Sequence, residues 1–302
     1  MKILFVVPYV PSLIRVRPYQ LIRHLSARGH EVRVATVWTD QRERAEAEDL
    51  KHHCHEVRAF HLPPTGSLLN CVKALATGEP LQAYYSWSPE LAAAVVDMAS
   101  RADLVHVEHL RGSRYALAVR RATDRPVVWD SVDCISYLFE QAVAQQSYGF
   151  GRLVNQLELP RTRRHEALLS RSFDRIVITS DTDRRNMLAL PPIPAPPGWP
   201  VALLPAEGRS SQPDGQPVIR VVPNGVDTSY FTPNGDSRDE ASLVFSGKMS
   251  YHANAAAAER LLSRVMPLVW ARRPDVRLTI AGKDPPRRLL RLANRTGGKV
   301  IV

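Results

Sequence analysis

The residues of this chain that can do chemistry sit at the ends of its apolar runs. Glu108 and His109 close the run DLVHVEH over 103–109. A carboxylate beside an imidazole at a strand end can bind a hydroxyl or carry a proton; the plainer alternative is a surface histidine beside a salt-bridged glutamate. Strand alternation puts His106 and Glu108 on one face and His109 on the other. Asp130 and Asp133 follow the run PVVW. Two carboxylates there suit hydrogen bonds to hydroxyls, or base work on one of them, while Asp133 serves equally well as a cap on the apolar helix that follows. Arg15 and Arg17 lie in the loop after the first apolar run. Such a pair suits an anion, or is solvated surface charge. At Gly247–Lys248 a glycine lets a phosphate approach the backbone and a cation neutralises it, the alternative being a solvated turn lysine. Asn224, Gly225 and Asp227 form a turn, since Asn and Gly favour left-handed backbone.

Other motifs lead nowhere. His52, His53, Cys54, His55 and His61 gather histidines, but structural zinc takes matched ligand pairs separated by a turn. This run is contiguous on the approach to a strand, so no metal site is expected. No GxSxG, HExxH or Walker-type loop occurs, which leaves hydrolase, zinc-protease and P-loop readings without support.

The elements that must position these residues repeat. ILFVV at 3–7 reads as a strand buried on both faces. After a loop, Pro18 falls in the first turn of a helix, where its missing N–H costs nothing. Gly29 ends that helix, and HEVRVATV is the second strand. Strands follow at 103–109, 126–130 and 174–180, with helices at 113–122, near 133–146 and 151–171, and after a cap at Asp181 or Asp183. The alternation predicts an α/β fold with a parallel sheet covered on both faces. Residues 191–217, rich in Pro, Gly and Ser, read as an irregular insertion. A second unit begins with SLVFSG at 242, continues through a helix over 254–272 that Pro267 kinks or divides, a strand at 276–282 and a helix at 286–294, and ends in KVIV. We place the domains at 1–235 and 236–302. A piece of about 60 residues is marginal alone, so the second domain reads as incomplete.

Composition bounds the function classes. The 302 residues carry 40 Lys+Arg against 30 Asp+Glu, a formal charge of +10, with 44% hydrophobic and 23% charged residues. That is globular composition rather than disorder. Three scattered cysteines fit a reducing compartment. The N-terminal apolar run is broken by Pro8 and followed by Arg15 and Arg17, unlike a signal peptide, so a cytoplasmic location is expected. The charge admits nucleic acid, anionic lipid or a phosphorylated small molecule. Aromatics are 7% and do not interleave with the basic residues, so a nucleic-acid groove ranks last. Arg152, Arg161, Arg163, Arg164 and Arg171 gather around one helix, which suggests peripheral attachment to anionic lipid.

Several segments fall in a recognisable order: RVRPYQLIRHLSARGHEV after the first loop, FDRIVITSDTD, PNGVD at 223–227 followed by Tyr230, Phe231 and Pro233, SGKMSYHAN at 246–254, and RPDVRLTIAGKDP at 273–285. Together they resemble family-4 nucleotide-sugar glycosyltransferases of the GT-B fold, and the last two resemble a bacterial subgroup of exopolysaccharide and cell-surface glycan assembly. The resemblance covers nearly the whole chain outside 191–217. It implies two Rossmann-like domains facing a cleft, with the second truncated here, and a sugar moved from a nucleotide-sugar donor to an acceptor hydroxyl on a glycan or lipid-linked carrier. Retention of the anomeric configuration follows from it, with no bound metal and no cofactor beyond the donor substrate.

On this resemblance Gly247, Lys248, Asn224, Gly225 and Asp227 bind the donor. Arg15, Arg17 and Asp133 meet the acceptor, and Glu108, His109 and Asp130 are catalytic. The sequence departs from the family in places. Lys248 stands where the family usually has Arg, giving a point charge instead of a fork. Asn254 lies near the place of a second family lysine. The family's important histidine, counted from Asp103, falls on Glu108, with His109 next. The first βα loop lacks glycine, and the family's paired donor-binding glutamates would follow Val302. A non-catalytic GT-B remnant that binds a sugar or a partner is the alternative function.

Overall fold

Alternate residues of the first strand feed two different cores. Leu4 and Val6 pack into one apolar cluster, and Ile3, Phe5 and Val7 into another with Ile22. This is what a strand covered on both faces requires. The computed structural model of the chain describes residues 1–145, 150–197, 199, 218–233, 239–249 and 252–302. It forms two compact units, Met1–Val226 and Asp227–Val302.

The first unit runs β1 (Lys2–Val7), α1 (Val16–Ala27), β2 (Glu31–Trp38), α2 (Gln41–Asp49), β3 (Glu56–His61), α3 (Pro64–Thr77), α4 (Leu81–Tyr85), α5 (Pro89–Ser100), β4 (Leu104–Glu108), α6 (His109–Ala122), β5 (Val127–Val132), α7 (Ile135–Gln145), α8 (Phe150–Leu169), β6 (Arg175–Ile178), α9 (Asp181–Leu188) and β7 (Ile219–Val221). Its strands form one parallel seven-stranded sheet in the order β3-β2-β1-β4-β5-β6-β7. The order reverses between β1 and β4, the place where ligands of open parallel sheets bind. The α/β reading of the sequence holds. Gly29 ends α1 with φ 84, the left-handed conformation that glycine adopts without strain. Helix α9 is capped by Ser180, whose Oγ accepts from the Asp183 N–H at 3.1 Å, rather than by either aspartate. The expected insertion falls mostly outside the described residues; within it, 191–197 form no helix or strand.

The second unit holds β8 (Ser242–Ser246), α10 (His252–Arg260), α11 (Met266–Arg272), β9 (Arg277–Ala281), α12 (Arg287–Asn294) and β10 (Val300–Ile301), with a parallel sheet in the order β10-β9-β8. The long helix expected over 254–272 is interrupted by a π-helical turn at Leu261–Val265. Pro267 is the cause: it has no N–H to donate, and its ring would strike the carbonyl four residues back.

Candidate active site

The carboxyl ends of β1, β4 and β5 bring together residues that lie far apart in sequence. Glu108 and Asp130 are register partners on β4 and β5, and both are buried. A buried carboxylate must be paired or neutral, and these two take opposite solutions.

Asp130 is paired. Arg17 donates from Nε to Oδ2 at 2.9 Å and from Nη2 to Oδ1 at 3.2 Å. The Val132 N–H donates to Oδ1 at 3.2 Å, and His106 Nε2 lies 3.5 Å from Oδ2. Burial pulls the Asp130 carboxyl up, but His106 and Arg17 outweigh it and hold the group below the usual carboxylate range. Arg17 also donates from Nη1 to the Val222 carbonyl at 2.9 Å and to Asn224 Oδ1 at 3.0 Å. Four of the five guanidinium N–H groups are therefore engaged. The structure thus places Arg17, Asp130 and Asn224 in one internal tie that holds α1, β5 and the segment after β7 together, where the sequence suggested groups open to ligands.

Glu108 takes the other solution. Its Oε2 has no hydrogen-bond partner. Burial and then the Asp130 charge push its carboxyl up to about 8, against the opposing pull of Tyr9, Arg17 and Arg15. At neutral pH it carries a proton.

His109 does not belong to the strand, as DLVHVEH suggested; it is the first residue of α6, with φ 62. The chain turns from β4 into α6 without a loop because this residue accepts left-handed backbone. Its Nδ1 accepts from the Arg111 N–H at 3.3 Å, which leaves the ring proton on Nε2. Burial and the Arg111 charge lower the imidazole to about 4, so it stays neutral and can donate. Val132, at the end of β5, has φ 67, an outlier for a β-branched residue. Strain therefore marks two neighbouring strand ends. Tyr9 presents its ring to His109, edge-on at 6.5 Å between centroids. Arg15 lies over that ring at 4.8 Å and pairs with Glu43 at 2.8 Å.

Asp133 is not the helix cap. The first N–H groups of α7 are taken by the buried Glu166 of α8, from Ile135 at 2.8 Å and Ser136 at 3.1 Å. The Cys134 N–H goes to Asp183 Oδ1 at 3.1 Å. Asp133 instead accepts from Thr179 Oγ1 at 3.3 Å, and burial beside Asp183 raises its pKa.

In the second unit, Asp227 Oδ1 accepts from the N–H groups of Ser229 at 3.0 Å and Tyr230 at 3.2 Å, fixing a turn. Gly225 is exposed and lies outside the left-handed region, so the turn does not use its freedom as the sequence suggested. Lys248 is exposed after β8. The bare face of Gly247 is filled rather than open to a phosphate: a Cβ there would meet Asn254 Nδ2 at 2.9 Å, and that amide donates to the Lys248 carbonyl at 3.1 Å. Gly282, which follows β9, is held to glycine more strictly, since a Cβ would lie 1.8 Å from the Gly247 carbonyl oxygen.

Residues 14–206 match the glycosyl transferase 4-like domain family. The chain belongs to that family. No curated protein matches it. Among solved structures, HepE of Anabaena in complex with UDP is similar, with a TM-score of 0.55, 16% identity, and coverage of 100% of this chain and 68% of that one. Sucrose-phosphate synthase of Thermosynechococcus elongatus gives 0.58 at 15% identity, covering 99% of this chain and 69% of its own. HepE in complex with UDP-glucose gives 0.56 at 16% identity, with the same 100% and 68%. The fold of this glycosyltransferase is GT-B, and its enzyme class is glycosyl transfer.

The strand-end cluster and its surroundings also contain residues that the sequence did not single out. His106 faces Asp130 as strand alternation allowed, but nothing in sequence placed the two side by side. Tyr9 follows the β1 run. Arg111, whose guanidinium lies 4.5 Å over the Tyr85 ring, and Glu166 reach their positions only through tertiary packing. The histidines at 52–61 separate: His53 Nε2 meets the Tyr19 hydroxyl at 3.3 Å, and His61 stacks on Trp38 at 4.2 Å.

Proposed function

We propose that this glycosyltransferase moves a sugar from a nucleotide-sugar donor to a hydroxyl of a glycan or lipid-linked acceptor, in the cytoplasm, during assembly of a cell-surface glycan or exopolysaccharide. The anomeric configuration is retained and no metal takes part. The observation that carries the reading is the buried Glu108 carboxyl, whose Oε2 has no hydrogen-bond partner, beside the left-handed His109 at the carboxyl end of β4. Glu108 in its protonated form and His109 through Nε2–H can both donate hydrogen bonds, which suits the recognition of sugar hydroxyls. Arg17 and Asp130 position the wall behind them. In transfer, the acceptor oxygen bonds to the anomeric carbon as the bond to the diphosphate breaks, and the hydroxyl proton passes to the departing diphosphate oxygen. Lys248 supplies positive charge for the departing diphosphate. The two HepE complexes contain UDP and UDP-glucose, which makes uridine nucleotides the first donors to try.

The test is nucleotide release from a panel of UDP- and GDP-sugars with and without acceptor extracts, with and without EDTA, and with the product anomer read by NMR. Release from no donor, together with no donor binding by calorimetry, would overturn the reading; loss of activity in EDTA or an inverted product would remove only its finer parts. One observation favours a second reading, a non-catalytic sugar- or partner-binding module: the Gly247 face is occupied by Asn254. Donor binding without turnover would support that module.

A further inference from the structure

Helix α3 is built inside out. A helix packed on a core ordinarily turns its apolar stripe inward. Here the buried positions are Ser67, Asn70 and Ala74, with Asn70 Nδ2 donating to the Trp87 carbonyl at 2.8 Å. The outward positions are Leu68, Leu69, Val72 and Leu75, which are 66%, 61%, 57% and 50% exposed. Their spacing makes one continuous face. From Pro64 to Thr77 the helix has no acidic residue, and its single charge, Lys73, is exposed.

The neighbouring surface continues both features. On α8, Leu153 and Leu157 are exposed and fall on the same stripe as Arg161, four residues apart in turn. Arg161 Nη2 donates to the Leu75 carbonyl at 3.4 Å, which sets that stripe against α3. Arg161 and Arg164 line a cavity of about 200 Å³ together with Thr77 and Gly78 at the end of α3. The five arginines read from the sequence as a basic cluster do not form one face. Residues of a helix advance by about 100° each, so Arg161 and Arg163 point apart, and Arg163 pairs with Glu140 at 2.8 Å.

We propose that α3, with the Leu153–Leu157 stripe of α8, is a bilayer-docking surface that sinks its apolar side chains among acyl chains while the exposed Lys73 and Arg164 meet anionic headgroups, Arg161 being held against Glu158 and the Leu75 carbonyl. Apolar side chains in the plane of the interface with cations beside them are what an interfacial helix needs. The charge beside the patch selects an anionic membrane over a second copy of a chain whose own net charge is +10. The inference goes beyond the sugar-transfer reading and does not depend on it.

The test is flotation of the full chain with vesicles of phosphatidylcholine alone and with 30% phosphatidylglycerol, at low and high salt. The wild type should float with the anionic vesicles, lose only part of its binding at high salt, and bind neutral vesicles at least tenfold more weakly. Triple replacement Leu68→Gln, Leu69→Gln and Val72→Gln should cut anionic-vesicle binding at least tenfold with the circular dichroism spectrum unchanged. In a second variant, Leu69→Trp should blue-shift on adding anionic vesicles and be quenched by brominated acyl chains. Equal flotation of the triple variant, binding wholly abolished by salt, or a wild-type dimer that the triple variant dissolves without lipid would each overturn the proposal.

Discussion

Glu108 and Asp130 face each other across two neighbouring strands, and only one of them can be charged at neutral pH. The Arg17 fork and His106 settle which. Replacing Asp130 with Asn removes a charge that a nearly buried guanidinium needs, and breaking such a pair costs about 3–5 kcal/mol. Asp130→Asn should lower the denaturant midpoint by that order and reduce turnover through displaced neighbours; an unchanged midpoint would mean that the tie is not structural. Glu108→Gln tests the opposite case. Glutamine imitates the protonated acid and has no proton to lose, so the fold should be unharmed at pH 4.5 and the variant's stability advantage over the wild type should grow from there, where the unfolded carboxyl ionises, to about pH 8, where the folded one does, and level off above it. If the group donates a hydrogen bond in the reaction, the variant keeps a fraction of its kcat and loses the alkaline fall of the pH–rate profile. A profile identical to that of the wild type would remove Glu108 from the chemistry.

Helix starts and strand ends carry the site, and each is secured by a contact from elsewhere in the chain. The N-terminus of α7 is closed by Glu166, which accepts from two N–H groups and sits on a different helix. Glu166→Ala should therefore unfold the start of α7 first, seen as faster amide exchange at Ile135 and Ser136, and cost about 1–3 kcal/mol for the orphaned donors. The corner of the second unit is just as specific: Gly282→Ala forces a methyl group onto the Gly247 carbonyl and should cost about 1–3 kcal/mol through backbone displacement, read as accelerated exchange across β8 and β9. The strands β1, β2 and β4 to β6, and the break at Pro267, could be read in the sequence because apolar runs, glycine and proline act locally. Elements between residues 41 and 100 went largely unread. Helix α3 shows why: its apolar face points to solvent, so its pattern gives no clue to the side that packs. The site was half legible. Glu108, His109, Asp130 and Arg17 could be picked by type and position at strand ends, but the Arg17–Asp130 pairing spans 113 residues, and the burial of Glu108 beside Asp130 and the left-handed turn at His109 depend on how the strands pack.

The seven-stranded unit as a whole combines buried carboxyls and buried imidazoles, and their opposed titrations shape its stability curve. Glu108 and Glu166 are raised from the ordinary glutamate value, 4.5, to about 8 and about 7. The folded state keeps protons that the unfolded chain has already lost, so each destabilises the fold as pH rises from 4.5 toward its folded value. His109 and His165 are lowered from 6.5 to about 4 and about 3. There the unfolded chain gains protons that the folded state refuses, so each destabilises the fold as pH falls from 6.5 toward its folded value. Each group contributes a slope of about 1.4 kcal/mol per pH unit within its window. Between pH 4.5 and 6.5 the two pairs oppose each other and the curve is flat. Above 6.5 only the glutamates act and stability falls; below 4.5 only the histidines act and it falls again. Urea midpoints from pH 4 to 9 should trace that plateau. The double variant Glu108→Gln, Glu166→Gln should flatten the alkaline limb and leave the acid limb in place, because the proton-binding difference that drives the alkaline loss resides in those two carboxyls. A wild-type curve that climbs from pH 6.5 to 8 would show that the two groups are ionised in the folded protein, and the assignment of Glu108 as a neutral donor would fall with it.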